Sequence, residues 1–156
     1  MLIRRAKVQD IESINRLLMQ TAMIHHYGRP DIFKPNGKKY TDEEICEILV
    51  DESRPVFVAV DENDQVLGYA FCIFKQILGH EIMTEIKRLY LDDLCVDEGK
   101  RGLGIGTALF EYVVAYAKET GCYNVELNVW GFNEDAIRFY EKSGLTPQKT
   151  IMEMIL

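Results

Sequence analysis

The sequence of 156 residues lacks three features that would assign it to a specialised class of protein. No apolar run approaches the roughly 20 residues that a membrane-spanning helix needs. The first residues have neither the apolar region nor the cleavage site of a signal peptide. The four cysteines lie far apart and show no paired metal-binding spacing. We therefore expect a cytoplasmic protein with reduced thiols that binds no membrane and no metal.

Positive charge is also scarce. The chain has 18 Lys and Arg against 25 Asp and Glu, which gives a formal net charge of −7. That balance disfavours binding to nucleic acid and suits a cationic small molecule or peptide, although solubility alone explains it equally well. The length fits one domain over residues 1–156, large enough to bury a core without disulfides or metals.

The residues that are present form alternating strand and helix patterns. Strands are predicted at residues 2–6, 55–60, 66–74, 89–96, 123–129 and 147–155. Helices are predicted at residues 8–24, 42–50, 108–120 and 134–143. Strand–helix–strand units imply parallel pairing, and the hairpin at 55–74 implies antiparallel pairing. The order predicts an α/β (α+β mixed) fold in which helices cover a mixed sheet.

The most informative stretch runs from residue 89 to residue 116. An apolar strand and a short polar loop lead to the turn Arg101-Gly102-Leu103-Gly104-Ile105-Gly106-Thr107, and an amphipathic helix follows. Glycines at alternate positions leave backbone N–H groups unshielded where the helix begins, and the helix dipole favours an anion there. Arg101 adds a positive charge. The stretch therefore predicts a phosphate site.

Three phosphate-binding patterns compete for this turn. A P-loop fails, because Thr107 and Ala108 stand where Lys and Ser or Thr are needed. A dinucleotide fingerprint beginning at Gly102 needs glycine in place of Thr107, and it belongs to the first strand–helix unit of a sheet. The third pattern is Arg or Gln, two residues, Gly, one residue, then Gly or Ala, and residues 101–106 fit it. A glycine-rich helix start without a ligand is the alternative.

A second block, residues 133–145, carries Asn133, Ala136, Tyr140 and Gly144. With the glycine turn, it makes the chain resemble the GNAT superfamily of N-acetyltransferases, which use acetyl-coenzyme A. The resemblance covers nearly the whole chain. It implies a GNAT-like central sheet, mixed and mostly antiparallel, with splayed parallel strands in the middle and helices on both faces.

The resemblance also implies how acetyl-CoA binds. The pantetheine arm is expected between the strands ending near residues 96 and 129, and the glycine turn is expected around the pyrophosphate. The implied cofactor-binding residues are Leu94, Cys95, Val96, Arg101, Gly102, Leu103, Gly104, Ile105, Gly106, Thr107, Asn133, Ala136 and Tyr140. Because many relatives dimerise, often through C-terminal strands, a homodimer is also implied.

Acetyl transfer to an amine needs a base for the amine proton, a donor for the oxyanion and an acid for the leaving thiolate. Each need suggests a catalytic residue. The backbone N–H at Leu94 is the expected oxyanion donor. Tyr140, two helical turns after Asn133, is the expected acid for the leaving thiolate. The alternative is that Tyr140 is a structural residue, with its ring packed and its hydroxyl hydrogen-bonded. Asp92 and Asp93 are the candidates for the base that takes the amine proton, and Asp92 is the first choice.

Asp92 and Asp93 interrupt an otherwise apolar strand. The run of residues 90–96 resembles the polyamine and diamine N-acetyltransferase branch, where an acidic pair occupies these places. Strand alternation predicts that Asp92 shares a face with Leu94 and Val96, whereas Asp93 points the other way with Cys95. A solvated or ion-paired aspartate is the alternative for each.

The acceptor is expected to meet the segment 25–39, the region after residue 50 and the loop 130–132. The candidate substrate-binding residues are Tyr27, Asp31, Asp92, Asp93 and Trp130, with one of His25 and His26 lining the pocket. A small-molecule amine needs a closed acidic pocket, and a protein N-terminus or lysine needs an open groove. The sequence favours a small-molecule amine. A protein acetyltransferase and a non-catalytic acyl-CoA-binding sensor stay open.

Overall fold

Five strands and four α-helices follow one another in the computed structural model, which describes residues 1–156. They are β1 (Leu2–Arg5), α1 (Ile11–Gly28), α2 (Asp42–Val50), β2 (Val56–Val60), β3 (Val66–Lys75), β4 (Arg88–Val96), α3 (Ile105–Glu119), β5 (Asn124–Glu126) and α4 (Glu134–Lys142). The strands stand in the sheet in chain order. Pairing is antiparallel from β1 to β4 and parallel between β4 and β5. The predicted mixed, mostly antiparallel sheet is confirmed.

Local sequence signals explain most of the helix boundaries. The α2 capping box forms as predicted, since the Thr41 hydroxyl accepts from the Glu44 N–H at 3.2 Å and the Glu44 carboxylate accepts from the Thr41 N–H at 2.7 Å. Helix α1 runs to Gly28, past the predicted end at residue 24. No residue before Gly28 disfavours the helix, and Pro30 then prevents its continuation.

The core lies on both faces of the sheet. One face packs against α1 and α2 through a cluster that includes Ile14, Leu17, Ile45, Val58, Tyr69, Phe71 and Cys95. The other face packs against α3 through a cluster that includes Phe57, Ala70, Cys72, Leu89, Leu91, Leu109 and Val113. Helices thus cover both faces, as predicted.

Two predicted strands differ from the structure. The strand expected at residues 123–129 is only Asn124–Glu126. Residues 147–155 are not a strand, because no neighbouring strand pairs with them, and residues 146–156 take part in no backbone–backbone hydrogen bond. Their alternating apolar pattern satisfies the local requirement for a strand but not the need for a partner.

None of the helices is long and apolar enough to cross a membrane. All four cysteines are free thiols. Burial raises the pKa of the Cys72 thiol to about 12 and that of the Cys95 thiol to about 11. Both therefore stay protonated at neutral pH, which makes them part of the core rather than reactive groups.

Candidate active site

Strand β4 carries a bulge at Asp92. Phe71 of β3 opposes Asp93 and Cys72 opposes Leu91, so Asp92 has no partner across the ladder. A bulge inserts one residue and shifts the alternation of side chains after it. Leu91 packs in the α3 cluster, whereas the Tyr40 hydroxyl reaches the Asp92 carboxylate from the α2 side.

This bulge corrects one prediction. Asp92 does not share a face with Leu94 and Val96, because both aspartates line one cavity beside α1. The predicted placement of Asp93 with Cys95 agrees with the structure. The Tyr69 hydroxyl donates to Asp93, and the Tyr69 side chain packs in the same core cluster as Cys95. Simple alternation is wrong here because it assumes a regular strand.

Strands β4 and β5 separate soon after they meet. Their parallel pairing begins at Arg88 with Asn124 and stops at Tyr90 with Glu126. Strand β4 continues to Val96, so that part of its edge has no strand partner on the β5 side. Backbone polar groups along such an edge are available to an extended ligand.

The glycine turn lies directly beyond this open edge. Gly102 and Gly104 have φ of 79° and 76°, in the left-handed region where a side chain is strained. Gly104 is the N-cap of α3 and provides no side-chain cap. None of the backbone N–H groups of residues 102–107 has a hydrogen-bond acceptor within the chain. Unpaired N–H groups at a helix N-terminus attract an anion.

Neighbouring side chains hold the turn in place and leave one cation beside it. Gln20 of α1 donates to the Val96 carbonyl at 3.0 Å and accepts from the Glu98 N–H at 3.1 Å. The Asp97 carboxylate pairs with Arg16 and accepts from the Gly99 N–H. Arg101 is exposed and takes part in no ion pair or side-chain hydrogen bond.

Helix α4 brings the second sequence block to the same region. The Asn133 side chain caps this helix by accepting from the Ala136 N–H at 3.2 Å. Tyr140 packs edge-on against Phe110 and Phe139, with ring centroids 5.9 Å and 5.1 Å away, and its hydroxyl makes no hydrogen bond to another group of the protein. Burial raises the pKa of Tyr140 well above that of an ordinary tyrosine, so the hydroxyl stays protonated.

A cavity of about 350 Å³ lies on the opposite side of β4 from α3, between α1, the loop 29–41 and the loop around Trp130. Asp92 and Asp93 line it from the strand. The Phe33 and Trp130 rings, 5.1 Å apart, line it from the two loops. Lys34, Lys38 and Lys39 also line it.

The two aspartates of this cavity differ in their surroundings. Lys39 Nζ lies 2.9 Å from an Asp92 carboxylate oxygen, and the Tyr40 hydroxyl donates to the same oxygen. Asp93 accepts from the Tyr69 hydroxyl at 2.9 Å. Burial raises the pKa of Asp93 to about 6, against the opposing effects of Lys39 and Tyr69. Asp92 is thus an ion-paired carboxylate, and Asp93 titrates close to neutrality.

The structure brings together some of the predicted substrate residues and separates the others. Asp92, Asp93 and Trp130 line the cavity. Asp31 does not line it, because its carboxylate pairs with Arg29 at 2.8 Å. Tyr27 is exposed and lines a separate cavity beside the start of α4. The longer α1 carries Tyr27 away from Asp93, and the short loop after it turns Asp31 toward Arg29.

The two adjacent histidines separate as predicted. The His25 ring lines the cavity and lies 4.9 Å from the Phe33 ring. His26 Nδ1 instead hydrogen-bonds the Phe33 carbonyl at 2.7 Å. Burial and the nearby charge of Lys39 lower the pKa of His25, so its ring is neutral at neutral pH.

Sequence reasoning missed Lys39, Tyr40 and Tyr69. Tyr69 carried a usable signal, since a tyrosine in a buried strand needs a partner for its hydroxyl and the adjacent strand holds two aspartates. Its partner depends on the strand register, which the hairpin pattern does not specify. Lys39 ends the segment 25–39 that was expected at the acceptor, but neither Lys39 nor Tyr40 lies in a periodic pattern, so no sequence signal distinguished these two side chains.

Comparisons with known proteins show which family the chain belongs to. Residues 20–145 match the sequence model of the acetyltransferase (GNAT) family. Peptidyl-lysine N-acetyltransferase YjaB of Escherichia coli is 31% identical over 90 residues, which are 58% of this chain and 48% of that protein. Streptothricin acetyltransferase of Streptomyces lavendulae is 30% identical over 94 residues, 60% of this chain and 46% of that protein. The chain thus spans about half the length of these curated relatives.

A solved structure matches along its whole length. A mutant of the BH1408 protein from Bacillus halodurans shares 36% sequence identity with this chain, with a TM-score of 0.96 over 100% of this chain and 99% of that one. The family's sequence model covers well over half of the chain, including the glycine turn and the start of α4. The chain therefore belongs to the acetyltransferase (GNAT) family.

Proposed function

We propose that this protein transfers the acetyl group of acetyl-CoA to a primary amine of a small molecule. One observation carries the proposal: the unpaired part of β4 joins an anion-binding turn at its end to two carboxylates at its centre. A thioester lying along that edge has its phosphates at the turn and its acetyl group near the acceptor cavity. Membership of the acetyltransferase family supports the same arrangement.

The cofactor half of the site uses mainly backbone groups. In this proposal the N–H groups of residues 102–107 and the Arg101 side chain bind the pyrophosphate, and the β4 edge binds the pantetheine arm. The residues assigned to the cofactor are Leu94, Cys95, Val96, Arg101, Gly102, Leu103, Gly104, Ile105, Gly106, Thr107, Asn133, Ala136 and Tyr140. The unpaired state of the turn supports this assignment, because buried anions need such donors.

The proposed transfer uses three groups, which are the amine of the acceptor, the Leu94 N–H and the Tyr140 hydroxyl. The amine nitrogen attacks the thioester carbon, and the Leu94 N–H stabilises the oxyanion that forms. The carbon–sulfur bond then breaks, and the Tyr140 hydroxyl gives its proton to the leaving thiolate. Tyr140 suits this task, because its hydroxyl is protonated and is not hydrogen-bonded to another group of the protein.

We propose Asp93, rather than Asp92, as the group that accepts the amine proton. Asp92 is already ion-paired with Lys39 and accepts a hydrogen bond from the Tyr40 hydroxyl, so its carboxylate has two partners within the chain. Asp93 forms no ion pair, accepts a hydrogen bond from the Tyr69 hydroxyl, lines the cavity, and has a pKa near the working pH of a general base. In this proposal Asp92 holds the Lys39 and Tyr40 side chains in place through its ion pair and its hydrogen bond.

The size of the cavity favours a small acceptor. A volume of about 350 Å³, bounded by α1 and two loops, falls within the usual range for small-molecule sites. One similar protein is named for streptothricin and another for peptidyl lysine, so small-molecule and protein acceptors both occur among the relatives. Protein acetylation is therefore the second candidate, and it requires that a lysine side chain enter this cavity. The unbonded hydroxyl of Tyr140 disfavours a sensor without turnover.

We further propose that two copies associate through residues 146–156. Side chains exposed in this segment are Ile151, Met152, Met154, Ile155 and Leu156. Its backbone makes no backbone–backbone hydrogen bond, and the outer edge of β5 carries no strand. Each chain thus has both a segment without backbone partners and an open sheet edge, which two identical copies satisfy reciprocally if the segment pairs as a strand.

The acid role is tested with Tyr140→Phe. Removing the hydroxyl is expected to lower kcat by roughly 10²-fold, because the thiolate then leaves without a proton. The measurement is thiol release from acetyl-CoA across polyamines, aminoglycosides, amino acids and peptides. Tyr112→Phe, which removes a hydroxyl from a tyrosine packed on Phe57, is the control and should retain full activity. An unchanged rate and pH profile for Tyr140→Phe would remove Tyr140 from the mechanism.

The phosphate site is tested with Gly104→Ala. A Cβ at Gly104 or at Gly121 meets no protein atom within 4 Å, and both glycines have positive φ. Each Ala variant should therefore lose about 1–2 kcal/mol of stability. Only Gly104→Ala should weaken CoA binding in calorimetry, by roughly tenfold, because its methyl group displaces hydrogen bonds to phosphate. Equal CoA affinity in the two variants contradicts the assigned site.

The base is tested by the pH dependence of kcat/KM. Asp93 accepts a proton only when ionised, so activity should fall as the pH drops below about 6. Asp93→Asn should be slower by roughly 10²-fold and should lose this acidic limb. Asp92→Asn should keep the limb, whatever its effect on rate. If Asp92→Asn loses the limb and Asp93→Asn keeps it, the assignment of the two aspartates is reversed.

The dimer is tested by light scattering. The protein should show twice the 18.0 kDa mass of one chain. A variant with both Ile151→Asp and Ile155→Asp should be monomeric, since charges on these side chains oppose burial. Val8→Asp, at another exposed apolar position, should stay dimeric. A monomeric native protein, or a dimeric double variant, excludes this interface.

A further inference from the structure

We infer that the acceptor is an amine that also carries an anionic group, such as a carboxylate or a phosphate. This inference rests on the proposed function, because it concerns the cavity assigned to the acceptor. The observation behind it is the set of charged side chains around that cavity. Three lysines, Lys34, Lys38 and Lys39, line the cavity together with Asp92 and Asp93.

The balance of charged residues around the cavity differs from that of the whole chain. The chain as a whole has a formal net charge of −7, but lysines outnumber aspartates around the cavity. His25, the remaining titratable group of the lining, is neutral at neutral pH. A cavity built for a purely cationic acceptor needs an excess of carboxylates, which this one does not have.

The three lysines differ in what they already bind. Lys38 Nζ is held by Asp42 at 2.7 Å and by Asn15 at 2.9 Å. Lys39 pairs with Asp92 at 2.9 Å and donates to the Asp92 carbonyl at 3.0 Å. Lys34 takes part in no ion pair or hydrogen bond. Lys34 is thus a cation of the cavity that is free to bind a ligand.

The Lys39–Asp92 pair determines what an incoming amine meets. An ammonium group that approaches Asp92 competes with Lys39 for the carboxylate. If the ammonium group replaces Lys39, the lysine is left without a partner, which costs free energy. A ligand with both charges avoids this cost. Its ammonium group is placed beside Asp92 and Asp93. Its anionic group replaces Asp92 as the partner of Lys39 and also binds Lys34, which has no partner within the chain.

The same charges disfavour polyamines. A second ammonium group on the acceptor would approach lysines rather than carboxylates, which is unfavourable at contact distances. The residues 90–96 resemble the polyamine and diamine branch, but the loop that supplies Lys34, Lys38 and Lys39 gives this cavity the opposite preference. Specificity thus follows from the loop, not from the strand.

A matched series of acceptors tests the inference. The compounds are 4-aminobutanoate, its neutral amide and 1,4-diaminobutane. All three have a primary amine at one end of a four-carbon chain and differ in the group at the other end. They are repeated at neighbouring chain lengths, and aminoalkyl phosphonates distinguish phosphate-like from carboxylate recognition. The kcat/KM should be highest for the anionic members, roughly tenfold above the neutral amides, with the diamines lower still.

A variant links this preference to a residue. Lys34→Gln should lower kcat/KM for the anionic amines by about threefold to tenfold and leave the neutral amides unchanged, because it removes one charge only. Lys118→Gln, on the last turn of α3, removes the same charge elsewhere and should change neither value.

The outcomes separate this inference from the proposed function. Preference for neutral amines or diamines, or an equal effect of Lys34→Gln on charged and neutral acceptors, overturns the inference and leaves acetyl transfer intact. Acetylation of lysine peptides but of no free anionic amine also overturns it, in favour of a protein acceptor. Tight binding of acetyl-CoA with no acetylation of any amine overturns the proposed function, and the inference with it.

Discussion

One additional residue in the middle of β4 determines how the site is built. Because Asp92 opposes nothing on β3, the strand changes the face that its side chains occupy. Before the bulge, Leu91 packs beneath α3. After it, Asp93 and Cys95 face α1. A regular strand would place one of the two aspartates in the α3 core, where an unpaired carboxylate is costly, so the bulge lets one apolar strand supply two polar groups to one cavity.

The two adjacent carboxylates illustrate how surroundings rather than residue type assign chemical roles. Asp92 has a lysine and a tyrosine hydroxyl as close partners, and its charge is balanced inside the chain. Asp93 has one hydroxyl partner and is desolvated, which places its pKa where a proton can be taken and released. The lysine that balances the first carboxylate comes from the loop that closes the cavity, so the loop conformation and the electrostatics are coupled.

The sequence was sufficient for what depends on local interactions. The Thr41 capping box, the hairpin and the glycine turn all involve residues within a few positions of one another, and the structure has all three. Features that depend on distant partners were not predictable: the bulge requires the register of β3, and the position of Lys39 requires the path of an irregular loop. The C-terminal segment shows the same limit, because its alternating pattern has no partner strand within one chain.

The order of strands in the sheet has a consequence for synthesis. Every strand pairs with the next one in the chain, so each pairing can form soon after its second strand has been made. The α1 face, with both aspartates, is complete once β4 is available. The separation of β4 from β5 and the capping of α4 by Asn133 require residues made later. We therefore expect a nascent chain to position the two aspartates first, and to complete both the acceptor cavity, through Trp130, and the cofactor cleft only after β5 has been made.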